Sequence, residues 1–211
     1  MSAVGEKAGA RTLEDRAKHF GVALVPGARE ALLTYGALLL SWSARINLTA
    51  AKSLDALIEE HFSDSFAIAA RLERHRGAPL NTIDVGSGGG LPAIAVALLR
   101  PRDHVTLVEA TGKKVAFLRT AVRELSLGDR LQVEHRRVEM SDEPGAFDVA
   151  TSRAMLPPPQ WLALGRRLVR VGGTVFCLGT GAIESPADGL TLVDQTPYRR
   201  DRWVAELQRS T

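Results

Sequence analysis

Apolar residues recur at helical spacing through the first third of the chain. From Thr12 the pattern runs through Leu13, Ala17 and Phe20, with Thr12 and Asp15 placed to cap it. Pro26 opens a second helix, Ala28 to about Ala44, carrying Leu32, Leu33, Leu39 and Leu40. After the short irregular stretch Ile46-Asn47-Leu48-Thr49, a third helix is predicted over Leu54–Leu72, with Leu57, Ile58, Phe62 and Phe66 on one side. Residues 1–11 are small and polar, and a disordered start is expected there.

The pattern changes beyond Arg76-Gly77-Ala78-Pro79. Short apolar runs now alternate with helical ones, which predicts strands at Asn81–Val85, Val105–Val108, Leu131–Glu134, Phe147–Ser152, Thr174–Leu178, Leu190–Gln195 and Trp203–Leu207. Helices are predicted at Leu91–Leu99, Lys113–Leu125 and Trp161–Leu168. Strands separated by helices of this length make βαβ units and a parallel sheet. The last two strands have no helix between them and so predict an antiparallel hairpin at the sheet edge. The expected organisation is an α/β chain: a helical extension over 1–76 and a Rossmann-like domain over 77–211, packed as one globular unit.

The run Thr82-Ile83-Asp84-Val85-Gly86-Ser87-Gly88-Gly89-Gly90-Leu91-Pro92 carries the chemistry. A β-branched strand enters a glycine turn and a helix follows, an arrangement that brings backbone close to a nucleotide-like ligand and offers it free N–H groups. Glu109 ends the next strand, where a carboxylate accepts hydrogen bonds from ribose hydroxyls. Dinucleotide enzymes share both features. Asp84 just before the glycines, a sheet that ends in a hairpin, and no downstream substrate half for a dehydrogenase point to S-adenosylmethionine instead.

Composition adds limits. The 211 residues are 45% hydrophobic and 24% charged, with a net charge of +3 and a pI near 9.3. That balance leans basic without demanding a polyanionic partner. The excess is local: seven basic side chains (Lys113, Lys114, Arg119, Arg123, Arg130, Arg136, Arg137) face three acidic ones between 113 and 137. With Arg199, Arg200, Arg202 and Arg209 they could form an RNA phosphate track or a solvated face. Cys177 is the sole cysteine, which excludes an internal disulfide and a cysteine-rich metal site. No His, Asp and Glu spacing suggests a metal. No targeting or membrane-spanning segment stands out, and a cytoplasmic setting is expected.

The exit of the fourth strand, Ser152-Arg153-Ala154-Met155, lacks the Asn/Asp-Pro-Pro-aromatic sequence typical of exocyclic-amine methylation. Pro157, Pro158 and Pro159 come too late and are expected to cap the next helix. Cys177 lies in mid-strand as a core residue, which disfavours a cysteine nucleophile. A target that is already nucleophilic remains, such as a ring nitrogen.

Asn47-Leu48-Thr49, His61-x-x-Asp64-Ser65, Asp84-Val-Gly-Ser-Gly-Gly-Gly-Leu-Pro92, Val108-Glu-Ala-Thr-x-Lys-Lys114 with Phe117-Leu118-Arg119, Arg137-Val-Glu139 and Ser152-Arg-Ala154 together resemble the RsmG (GidB) family of bacterial 16S rRNA guanine-N7 methyltransferases. The likeness covers roughly residues 30–180. It implies a class I methyltransferase fold: a mostly parallel seven-stranded sheet with an antiparallel C-terminal hairpin, plus the helical extension. It implies cofactor contacts at Asp84, Gly86, Gly88, Leu91, Glu109, Ala110, Thr111, Val138, Glu139 and Arg153. Arg153, Asn47 and His61 are implied on the substrate side, and Lys113, Lys114, Arg119, Arg123 and Arg202 against RNA. The implied partner is 16S rRNA in the 30S ribosomal subunit, and a monomer is expected. Ala93, Leu178-Gly179-Thr180 and most of the C-terminal hairpin depart from the family's pattern. A cofactor-binding interaction module without turnover and a small-molecule methyltransferase remain as alternative readings.

Overall fold

The computed structural model describes residues 12–75, 77–138, 144–153, 155–199 and 201–211; the expectation for residues 1–11 lies outside them. Helix α1 covers 12–19, and the Thr12 hydroxyl donates to Asp55. Helix α2 is Ala28–Ser43 and starts after Gly27 in a left-handed conformation. Helix α3, Leu54–Leu57, is capped by the Ser53 hydroxyl, which accepts from the Ala56 N–H. The expected single helix over Leu54–Leu72 is not uniform. A π turn occupies Ile58–Phe62 before α4, Ser63–Leu72, and a 3₁₀ turn follows at Glu73–His75. Ser63 is one physical reason: its backbone N–H bonds back five residues to Ile58, and its hydroxyl donates to the Glu59 carbonyl at 2.9 Å. Arg16 of α1 donates to the same hydroxyl at 2.9 Å and braces the turn from outside.

The remaining elements are β1 (Asn81–Val85), α5 (Ala93–Leu99), β2 (His104–Glu109), α6 (Gly112–Glu124), β3 (Leu131–His135), β4 (Phe147–Thr151), α7 (Pro158–Leu168), β5 (Val169–Thr180), β6 (Leu190–Arg199) and β7 (Arg202–Arg209). They form one seven-stranded sheet in the order β3-β2-β1-β4-β5-β7-β6. The five strands β3, β2, β1, β4 and β5 pair in parallel, and β7 pairs antiparallel with both β5 and β6. The expected parallel sheet with a C-terminal hairpin is therefore present. Pro158 stands at the start of α7, where its missing N–H costs nothing.

Strand β5 is longer than the apolar run Thr174–Leu178. It starts at Val169 and passes through Gly172-Gly173. At Gly173 the strand runs close to its neighbours: a Cβ there would lie 2.9 Å from the carbonyl oxygens of both Arg170 and Asp148. Only glycine fits this approach.

Alternation along the strands splits the core. Ile83, Val85, Val108 and Val175 pack under Trp161, Leu162 and Leu168 of α7 on one face. On the other face Val105 and Leu107 join Ile94, Phe117 and Leu118, together with Leu32, Leu39, Leu57, Phe62 and Phe66 from the N-terminal helices. A third group seats Ile68 and Leu72 of α4 over Val149, Phe176 and Val204. Each fully buried side chain of this size contributes about 1.5–3 kcal/mol through burial.

Tyr35 of α2 is wholly buried, stacks on Phe62 at 5.9 Å, and donates its hydroxyl to the Gly89 carbonyl. Helix α2 thereby holds the glycine turn. Tyr35→Phe leaves that buried carbonyl without its donor and should cost about 1–3 kcal/mol in urea unfolding. A loss below about 0.5 kcal/mol would show that the bond contributes nothing to the fold.

Candidate active site

Strand β1 leaves the sheet between β2 and β4, and its turn crosses the carboxyl ends of all three. Gly86, Gly88 and Gly90 adopt φ of 72°, 56° and 79°. No residue with a side chain takes three such conformations in five positions cheaply. Neighbouring strands pin the turn in place. The N–H groups of Gly86 and Ser87 both donate to the Val108 carbonyl, at 2.9 and 3.1 Å. Ser152 at the end of β4 donates to the Val85 carbonyl at 2.8 Å.

Two carboxylates stand here. Glu109 accepts from the Gly88 N–H at 2.9 Å and the Thr111 N–H at 2.8 Å, so it ties the turn to the start of α6. Burial works to raise its pKa, but the Thr111 and Gly88 bonds, with Lys114 nearby, hold it below the ordinary carboxylate value. It stays ionised, with acceptor capacity left for hydroxyl donors. Asp84 lies beneath the turn. Its Oδ1 accepts from Thr151 at 2.7 Å, while Oδ2 is buried with no partner among the described residues. Burial pushes its pKa up to about 6.

Two cavities open on either side of this turn. One of about 550 Å³ is lined by Val85, Val108, Glu109, Ala110, Val138 and Leu156, together with the basic side chains Lys114, Arg136, Arg137 and Arg153. Its apolar walls and ionised carboxylate fit the adenosine of a cofactor such as S-adenosylmethionine. The second cavity, of about 460 Å³, is lined by Asn47, Thr49, His61, Asp64, Gly88, Leu91, Arg199 and Arg202 among others. Gly86, Lys114 and Arg153 line both cavities.

Arg153 stands at that junction. One Nη1 group donates to His61 Nδ1 at 2.6 Å and reaches Asp64 Oδ2 at 3.4 Å. A guanidinium only donates, so His61 Nδ1 accepts and the imidazole proton sits on Nε2. Burial, then the Arg153, Arg199 and Arg202 charges, lower the His61 pKa to about 4. His61 is thus a neutral imidazole with one tautomer.

The expected residues distribute between these features. Gly86, Glu109, Ala110, Val138 and Arg153 meet at the apolar cavity, and Asn47, His61, Gly88, Leu91 and Arg153 at the polar one. Asp84 and Thr111 act on the turn from below and beside it. Glu139 lies outside the described residues. Of the basic residues, Lys114 and Arg202 line the polar cavity, while Lys113, Arg119 and Arg123 are exposed on α6, Arg123 beside Glu124 at 3.0 Å. Arg130 departs from the expected surface track: its guanidinium donates to the carbonyls of Asp103 and Ala97 at 2.9 and 3.2 Å and ties α5 to the chain before β2 and β3. Arg136 is likewise drawn to Glu134 at 2.7 Å.

Asp64 entered from sequence only within the motif His61-x-x-Asp64-Ser65 and Arg199 only within the C-terminal basic group, with no site role given to either; Tyr198 was not singled out. Asp64 sits three residues after His61, a helical spacing that places both on one side, whereas Tyr198 and Arg199 arrive through long-range strand pairing. Cys177 is buried and its thiol is pushed up to about 11 by burial, as a core residue should be. Among the described residues no group of three or more His, Cys, Asp or Glu is placed to hold a metal.

Sheet order, glycine turn and the acidic residue closing β2 define a class I S-adenosylmethionine-dependent methyltransferase. A family model described as "GidB: rRNA small subunit methyltransferase G" matches residues 28–186, and the chain belongs to that family. It is 41% identical over 170 residues to "Ribosomal RNA small subunit methyltransferase G" of Burkholderia pseudomallei (strain 1106a), covering 79% of this chain and 72% of that one. Among solved structures it is similar in fold to yhhF of Escherichia coli, with a TM-score of 0.59 and 12% identity over 70% of this chain and 86% of the other. It is also similar to Burkholderia thailandensis 1,6-didemethyltoxoflavin-N1-methyltransferase, with a TM-score of 0.56 and 16% identity over 90% and 92% of the two chains.

The lowered pKa of His61 has a defined sign. The fold favours the neutral ring, so this contribution to stability is whole above the ordinary value of 6.5 and is lost as pH falls from there through about 4. Nitrogen-15 spectra of labelled protein should show an Nε2–H imidazole at pH 5.5 that titrates near 4. A midpoint near 6.5 would place His61 outside the field of Arg153.

Proposed function

We propose that the chain methylates N7 of a guanine in 16S rRNA, with the 30S subunit or its RNA as substrate. The observation that carries this reading is the junction at Arg153, where a slot with apolar walls and an ionised carboxylate meets a polar cavity lined by Lys114, Arg199 and Arg202. The cofactor supplies a methyl group activated on a sulfonium. Guanine N7 has a free lone pair and no proton to lose, so the chain's work is positioning and exclusion of water rather than proton removal. His61, neutral and engaged at Nδ1 by Arg153, suits that: it is no base in this arrangement.

In this reading Gly86, Gly88, Leu91, Glu109, Ala110, Thr111, Val138 and Glu139 hold the cofactor, and Asp84 sets the turn beneath it. Asn47, His61 and Arg153 receive the base. Lys113, Lys114, Arg119, Arg123 and Arg202 hold phosphates, and Lys114 and Arg202 make no ion pair within 4 Å among the described residues. The enzyme works as a monomer in the cytoplasm and needs no metal.

Labelled S-adenosylmethionine with 30S subunits and with bare 16S rRNA should deposit label at a single guanine as N7-methylguanine. Arg153→Ala should lower that rate about 100-fold. Cofactor bound without label on either substrate would favour an interaction module instead. Affinity for 16S rRNA should fall steeply with salt, and Arg202→Ala should lower the slope of log affinity against log salt by roughly one. A slope near zero would point to a small-molecule substrate.

A further inference from the structure

Asp64 is buried at 5% exposure, and Arg153 is the only cation within 4 Å of its carboxylate among the described residues. Burial pushes the Asp64 pKa up, and the charge of Arg153 opposes that. The π turn supplies His61 and the start of α4 supplies Asp64, and both meet a guanidinium that comes from the exit of β4. Arg153 spends Nη1 on His61 and Asp64, and its Nε and Nη2 make no hydrogen bond to a described residue, which leaves them for a ligand at the junction of the cavities.

We propose that Asp64 is a positioning residue, which aims the unspent edge of Arg153 at the transfer point and fixes the tautomer of His61. The first part of that role rests on the methyltransferase reading above; the second does not. A buried ion pair is a poor source of stability, because desolvation cancels most of its attraction. Its worth lies in direction. A guanidinium held by one buried carboxylate on one side keeps its planar fork in a single orientation, and a displacement of about 1 Å at a reacting centre costs on the order of 100-fold in rate.

Asp64→Asn separates direction from stability. It keeps the side chain's shape and removes the charge, so the melting temperature should hold or rise while kcat on 30S subunits falls about 10- to 100-fold. KM for S-adenosylmethionine should stay within about 2-fold, since Asp64 itself lines only the polar cavity. In an Arg153→Ala background the same change should have no further effect on kcat. Asp64→Glu, which keeps the charge on an arm one methylene longer, should give a smaller loss of about 3-fold in kcat; it keeps the idea open to refutation should Asp64→Asn fail to fold. Nitrogen-15 spectra add a readout independent of activity: wild type shows His61 as a single Nε2–H form, and Asp64→Asn should show mixed tautomers. Retention of kcat in both single variants, equal losses with and without Arg153, or an unmixed His61 spectrum in Asp64→Asn overturns the proposal. Absence of methyl transfer by wild type would sink the functional reading alone, because the spectrum still reports whether Asp64 holds Arg153 on His61.

Discussion

A central strand of a parallel sheet must leave the sheet and reverse into a helix without blocking what lies beyond its end. Here that constraint falls on Gly86 to Gly90, and most of the chain bears on meeting it. Glu109 clamps the Gly88 N–H, Val108 receives Gly86 and Ser87, Ser152 secures Val85, and Tyr35 holds Gly89. The clamps come from β2, β4 and α2. The N-terminal helices are thus part of the site's foundation, and their apolar residues share a core with Leu107 and Phe117.

The two cavities that flank the turn differ in their walls more than in their charge. On the cofactor side Val85, Val108, Val138 and Leu156 stand beside ionised Glu109 and the cations Lys114, Arg136, Arg137 and Arg153. Across the turn Lys114, Arg153, Arg199 and Arg202 outnumber Glu60 and Asp64 among polar neighbours such as Asn47, Thr49 and His61. Apolar walls suit a nucleoside, and the polar, cation-rich setting suits a polyanion. Arg153 belongs to both because β4 ends beside β1, where Thr151 and Ser152 bond to Asp84 and Val85 before the chain turns away.

The sheet was legible in sequence because its parallel strands centre on short β-branched or alternating apolar runs and the crossover helices have their own period. The glycine turn and Glu109 were legible because backbone conformation and strand-end position restrict residue type. What stayed hidden depends on tertiary contact. The fifth strand was expected only from Thr174, and the approach of the Arg170 and Asp148 carbonyls that requires Gly173 shows only in the fold. Arg130 reads as a surface charge until its partners prove to be backbone carbonyls. Asp64 shows no charge partner within its own helix; Arg153 is 89 residues away along the chain.

The π turn has a consequence for how this region tolerates change in length. Each residue of an α-helix advances the side chains by about 100°. A turn that holds one residue more than an α turn absorbs that rotation between α3 and α4, and His61 lies inside it. Deleting any one residue between Ile58 and Phe62 would let the segment relax into a continuous α-helix that is locally better bonded. It would leave α4 near its present phase relative to α3, because the π spacing already takes up the extra residue, but it would move the side chains within the turn, His61 among them. The irregular turn therefore sets the aim of His61: what looks like a flaw in a helix is the one extra residue that lets a single segment point Leu57 and Phe62 into the core while His61 and Asp64 both meet the same arginine.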